Sequence, residues 1–338
     1  MTSMKWPFVF CAAWLGIVPE FNPFKYNSFP VNGATQTHRL TRVLQERIAR
    51  YGREGKLKEL PPVLTFQSVM DFTVSTRAIL SALYAPESAR VHLYALYAFD
   101  AEIAKIGDIV HEPMAGEIRL QWWRDVIAGE RDGEAMANPL AAALLAAMRP
   151  ASLPQQPLLD LIEARSFDLY RDPMASVEAF TGYADKTSGV SIDLAARLLT
   201  GSPIGAIREH VAFADTALRE LAALGQRAAH GKIYLPLDLL QQFGADPAEL
   251  LAGHANAELH AVIANLTLRA RGHLDRAETM LSQVDAAALP ALLPLAGARR
   301  RLRRLEQSAD PLQPDDLPPW RRQWAIWRAA RDPRRLFQ

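Results

Sequence analysis

A chain of 338 residues, 49% of them apolar, is long enough to bury a large core as one large domain or two ordinary ones. Its 38 basic and 37 acidic residues leave a formal charge of +1, so no overall field draws it to nucleic acid or to strongly acidic partners. The single cysteine, Cys11, excludes an internal disulfide framework and a cysteine-based zinc site, and it suits a reducing compartment.

Residues 1–37 carry no sustained hydrophobic period and read as a poorly ordered or targeting N-terminal extension. Trp6 to Val18 is apolar behind Lys5, like a signal-peptide core, but it is too short to span a bilayer and no small-x-small cleavage pattern follows it. The extension reading is preferred. Residues 38–70 hold a basic helix over Arg39 to Leu60, closed by Pro61-Pro62, and a linker. From Asp71 onward apolar positions recur every three or four residues with almost no strict alternation, which predicts helices. Breaks fall at Pro86, Glu112-Pro113, Asn138-Pro139, Pro150 to Pro157, Asp172-Pro173, Gly201-Ser202-Pro203, Gly231 with Pro236, Asp246-Pro247, and Pro290 with Pro294. None of these breaks is long enough to separate domains, so residues 71–310 are expected to form one helical domain. Beyond the proline-rich stretch Pro311 to Pro319, residues 311–338 carry a Trp/Arg helix.

The histidines are scattered without zinc spacing, and no glycine-rich phosphate loop, nucleophile elbow or Ser/His/Asp arrangement occurs. The informative stretch runs from Arg90 to Asp108. Tyr94, Tyr97 and Ala101 share one helical face there, and Asp108 closes the helix. This stretch resembles the first signature helix of the squalene/phytoene synthase family, approximately Tyr-Ala-Phe-Cys-Arg-x-x-Asp-Asp-x-x-Asp. The aromatic half matches. In the acidic half, Ala104 and Lys105 stand where the family has adjacent aspartates, and Asp108 remains. The family's requirement is physical: magnesium takes hard oxygen ligands, and carboxylates four apart on a helix face the same way and share ions that hold a diphosphate.

Downstream segments extend the likeness. Leu120 to Arg124 resembles a Leu-x-x-Trp-Arg helix, in which Trp123 and Arg124 are read as packing residues. Asp168-Leu169, Glu178, Tyr183 and Ser188-Gly189 match a second segment, with Ile192 where the family ends on glycine. Gly231-Lys232-Ile233-Tyr234-Leu235-Pro236 is similar to Gly-Arg-x-Tyr-Leu-Pro, which in the family follows the second acidic helix. Counting back without a gap puts Arg219, Ala222, Ala223 and Arg227 on that helix's Asn, Arg and two Asp positions.

The resemblance implies an all-α, single-domain isoprenoid synthase bundle. It most resembles a degenerate branch of the family, similar to a mitochondrial complex I assembly factor. Ala104, Lys105, Ala223 and Arg227 are expected to abolish a magnesium cluster and turn the site from acidic to neutral or basic, so that it favours an anion. The first expectation is therefore a non-catalytic protein without cofactor that binds a protein partner in a membrane respiratory complex, or a lipid or prenyl ligand. It would be cytoplasmic, at or near the inner face of the membrane. The alternative is an active Mg-dependent prenyltransferase condensing two prenyl diphosphates, with Asp100, Glu102, Asp108 and Asp215 as replacement carboxylates. A third reading is a diphosphate or lipid binder using Lys105, Arg227 and Lys232. Tyr97, Asp168, Tyr183, Gly189 and Tyr234 complete the cavity candidates. Arg300 and Arg303, with Trp320, Trp324 and Trp327, are candidates for membrane or partner contact, with docking on the chain's own domain preferred for the Trp helix.

Overall fold

The computed structural model describes residues 76–110, 112–314 and 319–338. The expectations for the N-terminal extension, Cys11 and the basic helix over Arg39 to Leu60 lie outside the described residues. The chain divides after Asp71, and the unit Phe72–Gln338 holds everything described below. Among the described residues there are helices and no strands.

Proline and capping residues set the helix starts. Helix α1 is Thr76–Ala82 and α2 is Glu87–Ile109, which begins behind Pro86 and turns Leu93, Leu96, Phe99, Ile103 and Ile106 inward at helical spacing. Pro113 opens α3, Pro113–Ala128, and Gly129 ends it in the left-handed conformation at φ 83°. After the short α4, Asp132–Ala137, Asn138 caps α5, Pro139–Met148, by accepting from the amides of Leu140 and Ala141. Next comes α6, Gln155–Ser166, which runs into a tight turn over Phe167–Leu169.

Ser176 caps α7, Val177–Ala184, and one π-helical turn over Asp185–Gly189 joins it to α8, Val190–Thr200. Helix α9, Ile207–Ala222, breaks at Ala223 before α10, Leu224–Ala229. Then follow α11, Leu237–Phe243, α12, Pro247–Leu251, and the long α13, Ala257–Met280. Helices α14, Leu289–Leu292, α15, Ala298–Glu306, and α16, Pro319–Arg331, close the chain.

Helix α2 packs on α5 and α8, while α9 packs on α13, the π turn and α15. The candidate site lies where α2, the end of α6, the π turn and α9 converge. Helix α16 docks on α1 with Ile326 and Ala329 inward, and Leu336 and Phe337 behind it are fully buried. The amides of Gly297 and Arg299 donate to the carbonyls of Leu336 and Phe337, which ties the tail to the start of α15. The Trp/Arg helix therefore docks on its own domain, but not through an indole stripe. Trp320 and Trp324 stay 59% and 45% exposed. No helix among the described residues is long and apolar enough to cross a membrane.

Candidate functional site

Asp168 is the centre of the site. The turn ending α6 buries its carboxylate, and burying a charge is tolerable only where hydrogen bonds replace water. Its Oδ1 accepts from the hydroxyls of Tyr183, at 2.8 Å, and Tyr234, at 2.7 Å. Its Oδ2 accepts from Arg165 Nη1 at 3.3 Å. Arg165, only 2% exposed, also donates to the Tyr183 hydroxyl at 2.8 Å and to Asp100 Oδ1 at 3.4 Å. Phe167 sits edge-on to both tyrosine rings and seals the cluster.

Burial raises the hydroxyl pKa of Tyr183 and Tyr234 well above the ordinary tyrosine value, so both stay neutral donors to Asp168. Burial works against the charge on Arg165, but Tyr183, Asp168 and Asp100 outweigh it and hold the guanidinium protonated. Lys232 Nζ donates to the carbonyls of Gly107, at 2.6 Å, and Asp168, at 2.5 Å. It thus stitches α2 to the turn, with burial the main force lowering its amine pKa. Glycine is required at 107, because a Cβ there would lie 2.6 Å from the Asp168 carbonyl oxygen.

Arg227 occupies the gap between the two helices on which the acidic motifs would sit. Its Nη1 meets Asp108 Oδ1 at 2.6 Å and its Nε meets Glu220 Oε2 at 3.2 Å. The guanidinium carbon lies 4.8 Å from the centre of the Tyr234 ring. Burial opposes the charge, and Glu220, Tyr234 and Asp108 more than offset it, so its pKa lies above the usual arginine value. Ala223, at the break between α9 and α10, contributes no polar side-chain atom. Ala104 and Lys105 are half-buried on α2, and Lys105 has interactions of its own.

The expectation of an anion-favouring site is corrected by these pairs. Arg227 faces carboxylates, Lys232 faces carbonyls and Arg165 faces Asp168 and Asp100, so the charge of each of these three is met from within the chain, although Arg165 Nε and the Nε and Nη2 of Arg219 have no hydrogen-bond partner among the described residues. The replacement carboxylates do not converge either. Asp100 pairs with Arg165, and Asp108 with Arg227. Asp215 accepts from Ser188 Oγ at 2.9 Å, with Arg219 3.8 Å away. Glu102 lies elsewhere, on a cavity of about 440 Å³ lined with Ile106, Arg119, Trp122 and Trp123. Among the described residues no group of three His, Cys, Asp or Glu side chains is placed to hold a metal ion. The donor set does not fit magnesium, which needs several free hard oxygens where this site offers a guanidinium.

The other expected residues are accounted for. Tyr97 is buried, its hydroxyl has no hydrogen-bond partner among the described residues, and burial raises its pKa. Gly189 lies in the π turn, where a Cβ would stand 3.2 Å from that of Ala212. Trp123 packs edge-on to Phe99 at 5.2 Å, and Arg124 pairs on the surface with Glu163, both in packing roles. Arg300 and Arg303 are exposed on α15. Reading the sequence missed Arg165 and Glu220. Arg165 lies three residues before Asp168, a helical pairing distance, and Glu220 is an acid on the apolar face of α9, between Leu218 and Leu221.

An all-α bundle with an Asp-Leu turn, a Tyr-Leu-Pro loop and two facing motif helices defines the isoprenoid synthase class. The family follows from the sequence match: residues 73–328 fit the family model "Squalene/phytoene synthase", and the chain belongs to that family. It is 24% identical over 230 residues to a Bos taurus protein named "NADH dehydrogenase (ubiquinone) complex I, assembly factor 6", covering 68% of this chain and 69% of that one. It is 25% identical over 215 residues to the presqualene diphosphate synthase of Rhodopseudomonas palustris, covering 61% of this chain and 76% of that one. Among solved structures, squalene synthase HpnC from Alicyclobacillus acidocaldarius superposes with a TM-score of 0.57 at 24% identity, covering 68% of this chain and 87% of that one. A dehydrosqualene synthase in complex with ligand gives 0.63 at 18% identity, covering 75% and 90%. These likenesses establish the fold.

Proposed function

We propose that this chain is a non-catalytic member of the squalene/phytoene synthase family that works, without a metal cofactor, by binding a protein partner during assembly of a membrane respiratory complex of the complex I type. The observation that carries the reading is Arg227, a built-in cation bridging Asp108 and Glu220 where a synthase of this family would need free carboxylates. Ionising an allylic diphosphate requires strong stabilisation of the departing pyrophosphate, and a guanidinium already spent on two carboxylates has little to offer it. The similarity to complex I assembly factor 6 supplies the direction of the assembly role.

The prenyltransferase reading keeps one support, the similarity to presqualene diphosphate synthase. Against it stand the pairings of Asp100, Asp108 and Asp215, and the placement of Glu102 on a different face. The test is deletion of the gene in its own host, followed by measurement of assembled complex I and NADH:quinone oxidoreductase activity in membranes. Loss of assembled complex, restored equally by the wild type and by Asp108→Asn, is the expected result. Normal complex I levels without the protein overturn the assembly role.

A further inference from the structure

Helix α16 is 13 residues long, about 20 Å, and carries four arginines and no acidic residue. Its inner face is short and apolar, with Ile326 2% and Ala329 0% exposed. At 100° per residue, Trp320, Arg321, Trp324, Trp327, Arg328 and Arg331 all fall on about one third of the circumference, turned away from Ala329. That face is composed of indoles and guanidiniums. Trp324 and Trp327 are stacked at 4.8 Å, Arg331 lies over Trp327 at 4.1 Å, and Arg321 over Trp320 at 5.1 Å. Tyr84, exposed at the end of α1, lies close enough to Arg331 to feel its charge.

Two large indoles held in water on a folded domain are costly unless something covers them. We propose that this outer face of α16 docks on an anionic lipid surface, with the indoles at headgroup depth and the arginines on lipid phosphates. The chemistry favours lipid over an acidic protein. Arg321 and Arg331 each lie over an indole ring, which gathers cation and apolar body at one surface, so that guanidinium N–H groups can meet phosphates while the indole enters the apolar boundary. With four arginines, no acidic residue and exposed indoles, the helix matches the anionic headgroups and apolar boundary of a lipid surface in both halves of its chemistry. The proposal uses none of the inner site and stands or falls separately from the assembly role.

The experiment is flotation of the full chain with phosphatidylcholine vesicles and with vesicles containing about 30% phosphatidylglycerol, for wild type, Trp320→Ala/Trp324→Ala and Arg321→Glu/Arg328→Glu. The wild type is expected to partition at least about tenfold better onto the anionic vesicles and to be released at about 0.5 M salt. Each double variant is expected to lose about tenfold or more, since one surface cation alone is worth about fivefold. Circular dichroism melting of both variants should match the wild type because the substituted face is turned outward, and the two variants delete different halves of the chemistry. Equal binding to neutral vesicles overturns the proposal. So does wild-type binding by both variants, which would place the membrane contact elsewhere on the chain. Failure of the wild type to bind the anionic vesicles at all, with binding instead to immobilised polyglutamate, also overturns it, in favour of an acidic protein.

Discussion

Replacing Arg227 with alanine removes one guanidinium and strands two carboxylates in unequal surroundings. The Asp108 side chain is 45% exposed and regains water, but that of Glu220 is 4% exposed and cannot. Removing one partner of a buried ion pair costs about 3–5 kcal/mol, chiefly because the other charge is left uncompensated. Arg227 is itself 17% exposed, which lets some water reach the gap and brings the expected loss to about 2–4 kcal/mol. For a domain of this size that is a fall in melting temperature of roughly 5–15 °C, read by circular dichroism.

The asymmetry is the sharper test. Asp108→Asn should cost no more than about 1 kcal/mol, as a half-exposed pair does. Adding Glu220→Gln to Arg227→Ala should recover part of the loss, because it deletes the stranded charge. If Arg227→Ala melts within about 2 °C of the wild type, or Asp108→Asn costs as much as Arg227→Ala, the guanidinium is not the clamp described here.

Three further outcomes follow from the packing. Gly107→Ala places a methyl against the Asp168 backbone and should destabilise by about 1–3 kcal/mol in urea denaturation, despite alanine's better helix propensity. His210 and His273 meet through their Nδ1 atoms at 3.2 Å between α9 and α13, and burial, His210 and Arg276 push the His273 pKa down to about 4, with Glu209 opposing. The fold therefore prefers the neutral ring. Stability present above pH about 6.5 should fall as the pH drops towards 4, by about 1–2 kcal/mol after discounting for partial exposure, and His273→Gln should flatten that slope. Phe337→Ala, at a fully buried ring, should cost about 3–5 kcal/mol in the same denaturation assay.

The helical architecture was legible because its punctuation is local. Pro86, Pro113, Asn138-Pro139 and Asp246-Pro247 each begin a helix where expected, since a missing amide and a capping side chain act within one turn. Local signals end there. The π turn over Asp185–Gly189 and the break at Ala223 carry no proline, and the glycines beside them, Gly189 and Gly225, sit against Ala212 of α9 and the Leu312 backbone, close approaches that sequence does not display. Motif spacing brought out Asp168, Tyr183, Lys232 and Tyr234, which the fold does gather. It also counted Arg227 and Lys232 as free charge, when Asp108 and the Gly107 carbonyl, 119 and 125 positions away in sequence, are among their partners, and Glu220, only seven positions from Arg227, was overlooked. A substituted ligand position shows that a metal site is altered, whereas its electrostatic outcome depends on what the new side chain reaches.

The most direct measurement is pyrophosphate release by the purified chain given farnesyl or geranylgeranyl diphosphate with Mg²⁺. With Arg227 holding Asp108 and Glu220, no turnover above the enzyme-free background is expected with either substrate. Sustained release that disappears in Asp108→Asn would contradict the account, because it would require that carboxylate to leave its arginine and serve a metal.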